Sequence, residues 1–251
     1  MLSVDINCDM GESYGNFKVG NDEAVFPQIT SCNIACGIHA GDPYHIEKTI
    51  NLALAHNVQI GAHPGYPDLQ GFGRRVIPMA SEELSSYIKY QIAALQGMVH
   101  SAGGKLKYVK PHGALYNEIA KNEAVASTVY KAIKAMDPDL KIMGLAGSHV
   151  KEILAQMDMG YIPEAFADRY YEADGKLRSR GLPQSVIQDP EVAAQQVVSI
   201  ATENKTSSLD GVVVRLEAKS FCIHGDNPAA VDILTAIDSC LHESGIEKKA
   251  F

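Results

Sequence analysis

Short hydrophobic runs rich in β-branched and aromatic residues alternate along the chain with longer segments whose apolar residues recur at helical spacing. The short runs predict eight strands, at residues 2–7, 29–35, 58–62, 106–110, 141–145, 162–166, 212–216 and 221–223. Strands that alternate with helices in this way are typical of an α/β fold with parallel strands.

Several helical segments begin with a capping sequence. A Ser, Asn or Asp side chain accepts hydrogen bonds from the free N–H groups of a first helical turn, and a following proline leaves no N–H group unpaired. Such starts occur at Asp42-Pro43, at Ser81 before two glutamates, at Asp189-Pro190 and at Asn227-Pro228. The clearest helices are predicted at residues 43–56, 81–100 and 116–136. Residues 168–188 are predicted to form a long loop with a turn near Asp174-Gly175.

Composition narrows the class of protein. The 251 residues include 22 Lys and Arg against 30 Asp and Glu, a net charge of -8, which disfavours a nucleic-acid partner because such binding needs a basic face. With 46% hydrophobic and 21% charged residues, the chain has the composition of a globular protein. No Pro/Gly/Ser-rich linker interrupts it, so residues 1–251 are predicted to form one domain.

Localisation and redox state follow from what the sequence lacks. It contains no apolar run long enough to span a membrane and no signal peptide at its start, so we expect a cytoplasmic protein with no membrane partner. The five cysteines are scattered and show no CxxC spacing, which predicts reduced thiols and no zinc ribbon.

Acids and histidines follow the predicted strands, often beside Gly, Ala or Pro. Because the C-terminal ends of parallel strands converge on one face of a barrel or sheet, these side chains are expected to meet there. We predict that a common pocket is lined by His39, His63, His112 and His224. The other histidines lie in predicted helices or at their ends and are interpreted as surface or packing residues, namely His45, His56, His100, His149 and His242.

The carboxylates that follow the first strand allow several roles. Asp9 and Glu12 can act as a general base, bind a metal or orient a histidine, or they can simply cap a loop. A divalent metal held by Asp9, His63 and His112 is compatible with the preference of zinc and manganese for mixed His and carboxylate sites. No HExxH, HxH or Cys-His motif makes this specific, so the sequence leaves the metal open.

Candidate anion-binding residues lie near the same strand ends. Lys110 directly precedes Pro111-His112, where its ammonium could neutralise an anion or polarise a carbonyl. A guanidinium suits a small carboxylate or phosphate, although an acidic protein also uses arginine in surface salt bridges. Four arginines lie in Gly-flanked or irregular segments: Arg74, Arg75, Arg169 and Arg180.

The sequence lacks the phosphate-loop motif GxxxxGK[ST], the dinucleotide motif GxGxxG after a strand, and the nucleophile elbow GxSxG. A self-contained ATPase, dehydrogenase or serine hydrolase is therefore not expected.

Seven sequence blocks in order along the chain carry a resemblance to a known family. The blocks are NCDMGE (7–12), NIACGIHAGD (33–42), GAHPG (61–65), GFGRR (71–75), KPHGALY (110–116), FADR (166–169) and HGD (224–226). Together they resemble the A-subunit family of the 5-oxoprolinases, also called the lactam utilisation family. The resemblance implies an irregular (β/α) barrel of the glycoside hydrolase/deacetylase type.

The resemblance also implies an activity, the opening of 5-oxoproline to L-glutamate with ATP as co-substrate, in a complex with two partner subunits. Under this interpretation the candidate catalytic residues are Asp9, His39, His112 and Lys110. The candidate substrate-binding residues are Asn7, Glu12, Arg74, Arg75, Arg169, Arg180, His224 and Asp226. Two alternatives stay open: a metal-dependent amidohydrolase that acts alone, and a non-catalytic subunit that binds the lactam or stabilises the complex.

Overall fold

The computed structural model describes residues 2–251. In chain order, the strands are β1 (Ser3–Met10), β2 (Ser31–Ala35), β3 (Gln59–His63), β4 (Leu106–Val109), β5 (Lys141–Leu145), β6 (Tyr161–Phe166), β7 (Lys205–Ser207), β8 (Val213–Arg215), β9 (Ser220–His224) and β10 (Glu247–Lys248). Seven of them pair in the order β1-β2-β3-β4-β5-β6-β9, and β9 pairs again with β1. Since all these pairings are parallel, the sheet closes into a seven-stranded parallel barrel.

The helices lie around this barrel. They are α1 (Asp22–Val25), α2 (Pro43–Ala55), α3 (Ser81–Ser101), α4 (Gly113–Ile119), α5 (Glu123–Met136), α6 (Val150–Gln156), α7 (Pro190–Glu203) and α8 (Ala230–Glu243), with a 3₁₀ turn (Phe26–Gln28) directly after α1. The sequence prediction of an α/β barrel is therefore confirmed. No helix among residues 2–251 is long and apolar enough to cross a membrane.

The capping sequences predicted two helix starts correctly. The Asp42 side chain accepts from the backbone N–H groups of Tyr44 and His45, and Asp189 caps α7 in the same way. α3 begins at Ser81 as predicted, but Ser81 is its first residue and not its cap, since Ala80 occupies the cap position. The start of α8 is displaced to residue 230, beyond Asn227-Pro228.

The predicted helix at residues 116–136 is wrong in one respect, because it is two helices. The Asn122 side chain accepts from the N–H groups of Ala124 and Val125, so it caps α5 and separates it from α4. An Asn at this point competes with the helical backbone for hydrogen bonds, which is why the apolar spacing continues while the helix does not.

The predicted barrel strand at residues 212–216 is also wrong. Here β8 pairs antiparallel with β7 in a separate two-stranded ribbon. A parallel barrel strand is covered on both faces, by the interior and by helices, whereas Val213 is 60% exposed. The loop prediction for residues 168–188 holds, since this stretch contains only isolated bridges, Arg169 with Val186 and Tyr171 with Leu177.

The interior of the barrel contains a polar column along β1. Along β1, Asp5, Asn7 and Asp9 occupy alternate positions, and all three are buried. Alternate residues of a strand face the same side, and the Asp5 carboxylate accepts a hydrogen bond from Ser31 on the neighbouring strand at 2.6 Å. The intervening Ile6 belongs to the main hydrophobic core. The polar column leads toward the C-terminal strand ends, where the candidate site lies.

Candidate functional site

A cavity of about 400 Å³ opens at the C-terminal end of the barrel. This size falls in the usual range of small-molecule sites. Ten of the residues singled out from the sequence line it: Asp9, Glu12, His63, Arg74, Lys110, His112, Arg169, Arg180, His224 and Asp226. The prediction that these distant positions meet at the strand ends is thus correct.

Three further candidates lie outside the cavity wall. Asn7 lies one layer deeper in the barrel, where its side-chain amide donates to Glu164 at 3.0 Å and to Ser220 at 2.8 Å. His39 is fully buried behind His112, with the two rings stacked 3.8 Å apart. Arg75 is directed away from the cavity: its guanidinium pairs with Asp68 and its side chain is 62% exposed.

Lys110 forms the centre of a buried charge cluster at the cavity floor. Its Nζ lies 2.7 Å from Glu164 Oε1, 3.0 Å from Asp9 Oδ1, 3.1 Å from Cys222 Sγ and 3.2 Å from Asn7 Oδ1. An ammonium has three protons to donate, so these four acceptors inside the barrel use all of them. Burial acts to lower the pKa of Lys110, but Asp9 and the other anionic neighbours hold it well above its ordinary value.

Glu164 is a central residue that the sequence motifs did not indicate. It is completely buried, and it accepts from Tyr116 Oη at 2.7 Å in addition to Lys110 and Asn7. The sequence did contain one indication of its role, a carboxylate within a predicted barrel strand. Burying a carboxylate there is costly unless a cation pairs with it.

Asp9 links the charge cluster to the histidines. Its Oδ1 accepts from Asn33 at 2.8 Å and from Lys110, while its Oδ2 lies 3.2 Å from His63 Nε2. Burial acts to raise the pKa of Asp9, but His63 and Lys110 together hold it well below its ordinary value. Asp9 is therefore an ionised carboxylate and a weak base.

His63 and His112 face each other beside Asp9. His63 Nδ1 lies 2.6 Å from the carbonyl oxygen of Lys110, and His112 Nε2 lies 2.8 Å from that of Phe72. The remaining nitrogens, His63 Nε2 and His112 Nδ1, are 2.9 Å apart. Burial lowers the pKa of His112 well below its ordinary value, and the neighbouring imidazoles of His39 and His63 add to this effect.

Glu12 completes this cluster. Its Oε1 lies 3.5 Å from His39 Nε2 and 3.6 Å from His112 Nδ1. Neither this oxygen nor either ring nitrogen of His39 has a hydrogen-bond partner among residues 2–251. Burial raises the pKa of Glu12 well above its ordinary value, with Asp9 and Asp226 adding to the effect.

The residues of this cluster fit a divalent metal. Donor atoms of Glu12, His39, His63 and His112 all lie within 4.8 Å of one another, and imidazoles with a carboxylate are the donor set of zinc and related ions. The orphaned Glu12 oxygen is free to bind a cation. The set of metal ligands predicted from the sequence, Asp9, His63 and His112, stays a prediction. The structure adds Glu12 as a possible ligand, since its Oε1 lies 3.6 Å from His112 Nδ1.

His224 lies on another side of the cavity and is held by an acid. Its Nδ1 lies 2.9 and 3.1 Å from the two oxygens of Asp168, which also accept from the His224 backbone N–H and from Asn227. Burial acts to raise the pKa of Asp168, but His224 and these hydrogen bonds keep it below its ordinary value. An ionised Asp168 fixes the proton on Nδ1 and leaves Nε2 as a base. Asp168 stands in the FADR block, but no role was predicted for it from the sequence.

Arginines surround the mouth of the cavity. Arg74 donates to Asp226 at 2.6 Å, which joins the loop after β3 to the loop after β9. Arg169 and Arg180 line the cavity and make no salt bridge among the described residues. Two nitrogens of the Arg169 guanidinium, Nε and Nη2, donate to the backbone carbonyls of Ser185 and Arg178. Burial, and secondarily the charge of Arg180, lowers the pKa of Arg169 to about 10. A desolvated guanidinium beside a second one favours an anionic ligand.

The fold and the cavity define a TIM-like (β/α) barrel with an acidic, imidazole-rich and arginine-rimmed site at the C-terminal strand ends. The chain belongs to the LamB/YcsF family, whose model matches residues 4–251.

Individual relatives agree with this assignment. The chain is 47% identical over 250 residues to the A subunit of 5-oxoprolinase from Acinetobacter baylyi, covering 100% of this chain and 98% of the relative. The crystal structure of the lactam utilization protein from Thermus thermophilus matches with a TM-score of 0.93 and 41% identity over 100% of both chains. The polysaccharide deacetylase Bc1974 from Bacillus cereus shares the fold alone, with a TM-score of 0.54 and 13% identity over 100% of this chain and 92% of the deacetylase.

Proposed function

We propose that this chain is the A subunit of an ATP-dependent 5-oxoprolinase, which opens 5-oxoproline to L-glutamate together with two partner subunits. The observation that carries the proposal is the 47% identity, over nearly the whole of both chains, to a protein named for this activity. A cavity of about 400 Å³ with arginines at its mouth is compatible with a small cyclic carboxylate.

The chemistry explains why ATP is needed. A five-membered lactam is an unactivated amide, and its ring closure competes with hydrolysis. In the proposed sequence, phosphoryl transfer from ATP to the lactam oxygen makes the ring carbon electrophilic. Water then attacks that carbon, the C–N bond breaks as the nitrogen takes up a proton, and a second water releases phosphate. The products are ADP, phosphate and glutamate.

We assign the anionic part of the substrate to the arginines. Among residues 2–251, Arg169 and Arg180 have no carboxylate partner, whereas Arg74 is already paired with Asp226. Lys110 is less suited to bind the substrate anion than the sequence indicates, since its protons are donated inside the barrel to Asp9, Glu164 and their neighbours. In this proposal Lys110 positions Asp9 and keeps it ionised, and the arginines neutralise the negative charge of the substrate.

We assign the general base to His224. Its Nδ1 is held by Asp168, and its ring borders the cavity with the side chain 12% exposed. His39, one of the sequence-based candidates, lies behind His112 and does not border the cavity, so it acts at most through His112. Proton removal from water by a positioned imidazole accounts for about 10²- to 10⁴-fold of rate.

The test is glutamate release from 5-oxoproline and ATP by this chain alone, by its two partner subunits alone, and by the three together. Activity only in the complete mixture supports the proposal. Full activity without this chain overturns its catalytic role. Glutamate formation by this chain without ATP overturns the ATP-dependent reaction and identifies an autonomous amidohydrolase.

A further inference from the structure

The pair of histidines at the cavity floor poses a proton-counting problem. A carbonyl oxygen only accepts hydrogen bonds, so the nitrogens next to the carbonyls of Lys110 and Phe72 carry the ring protons of His63 and His112. In two neutral rings the other two nitrogens are then both acceptors. These are the nitrogens that lie 2.9 Å apart, and two lone pairs at that distance repel. Either a proton on His63 Nε2, which Asp9 Oδ2 can also accept at 3.2 Å, or a metal cation between the two nitrogens removes this repulsion.

The surroundings indicate a cation larger than a proton. Glu12 Oε1, buried and without a hydrogen-bond partner among residues 2–251, lies 3.6 Å from His112 Nδ1. For metal–ligand bonds of about 2.0 to 2.2 Å, the donors of a tetrahedral site are about 3.3 to 3.6 Å apart. The observed spacings of 2.9 and 3.6 Å bracket that range, so small side-chain shifts would create the site.

His39 is less suited to be a direct ligand. Its ring is stacked on His112 with an angle of 5° between the planes and 3.8 Å between the centroids. Because imidazole lone pairs lie in the ring plane, two stacked rings do not direct them at one ion. The rings of His63 and His112 are instead at 83°, and His63 Nε2 and His112 Nδ1 converge to 2.9 Å. His39 therefore supports His112 from behind.

We propose that Glu12, His63 and His112 bind one divalent transition-metal ion, best zinc, at the floor of the cavity. All three line the cavity, and two imidazoles with one glutamate leave one coordination position of a tetrahedral ion open. The carbonyls of Lys110 and Phe72 hold the ring orientations, as partners of metal-bound histidines usually do. A bound ion would supply a Lewis-acid centre facing the cavity. The proposal stands independently of the lactam reaction.

The experiment uses the full chain without substrate or partner subunits. After dialysis against a chelator, the protein is equilibrated with zinc, and bound metal per chain is measured by elemental analysis. Cobalt is titrated in parallel, because its visible absorption bands report coordination by nitrogen and oxygen. We expect one tightly bound ion per chain. Glu12→Gln and His112→Gln should each weaken binding by more than about 100-fold, beyond the effect of losing a supporting partner.

His100→Gln is the matched control, since His100 is exposed on α3 and should leave binding unchanged. Circular dichroism verifies that each variant is folded. If His112→Gln fails to fold, Glu12→Gln still tests the proposal, because it keeps the shape of the side chain. Absence of stoichiometric binding, or binding that survives both substitutions, overturns the proposal and leaves a shared proton between His63 and His112. Because no turnover is measured, this outcome is independent of the test of the proposed function.

Discussion

Lys110 Nζ lies 2.7 Å from Glu164 Oε1 in the interior of the barrel, and the two side chains are 3% and 0% exposed. Removing one member of such a buried ion pair leaves the charge of the other without compensation, which destabilises the folded state. The pair links β6 to the end of β4, directly beneath the cavity that contains the candidate chemistry.

Replacing Lys110 by Met should therefore destabilise the protein by about 3 to 5 kcal/mol, because Asp9 and Glu164 lose their cation. Urea unfolding followed by circular dichroism measures this change. Lys107→Met is the control, exposed on β4 just before Lys110, and should alter stability by less than about 0.5 kcal/mol. Adding Glu164→Gln to Lys110→Met should recover about 1 kcal/mol or more. Equal stability of the two single Met variants would contradict the structural role of the pair.

The Asp168–His224 contact predicts a kinetic effect. Asp168→Asn places an amide donor beside His224 Nδ1, which moves the ring proton to Nε2 and removes the base from the cavity. In the three-subunit complex we expect kcat to fall by at least about 100-fold with little change in KM. Asp232→Asn, an exposed position on α8, serves as the control. A normal kcat in the Asp168 variant would remove His224 from the reaction.

The arginines at the cavity mouth predict an effect on substrate affinity. Arg180→Met should raise the KM for 5-oxoproline by about 10- to 100-fold, the effect of one hydrogen bond to a charged group, and should leave kcat nearly constant. Steady-state kinetics of the complex measure both parameters. Arg215→Met, on the exposed side of β8, should behave like the unmodified protein. If both variants have the same KM, the anion is held elsewhere.

Asp42 predicts a pH-dependent contribution to stability. Its carboxylate caps α2 and accepts from the Gly15 N–H at 2.7 Å, and this hydrogen bond, with further ones from His45, lowers the pKa of Asp42 to about 2. A lowered pKa in the folded state means that the contribution is complete above the unfolded value of 3.8 and is lost as the pH falls through about 2.

Asp42→Ala should accordingly cost about 1 kcal/mol at pH 7, the usual effect of removing an N-cap, and progressively less as the pH falls from 4 to 2. Thermal unfolding across this pH range provides the measurement. Asp42→Asn keeps the capping oxygen and should retain most of the stability without its pH dependence. If the stability difference between Asp42→Ala and the parent chain were constant with pH, the charge of Asp42 would make no contribution to stability.

The alternation within β1 shows how much of the site the sequence contained. Asp5, Asn7 and Asp9 occupy every second position of a strand, which predicts a polar face, and in a closed barrel that face is the interior. We singled out Asn7 and Asp9 from the motifs they belong to, whereas Glu164 was missed. A single carboxylate in a buried strand has no recognisable partner until the strands on either side are known.

By itself the sequence determined the alternation of strands and helices, the caps at Asp42 and Asp189, and the placement of acids and histidines after the strands. These features depend on residues a few positions apart, so local patterns are sufficient to predict them. Only the tertiary structure decided which atoms meet. Closure of β9 onto β1 and the register of each strand set contacts such as His63 with His112 and Lys110 with Glu164, between residues 49 and 54 positions apart. The orientation of Arg75 toward Asp68, out of the cavity, was decided in the same way, because a shift of a single residue or rotamer moves a side chain from one face to the other.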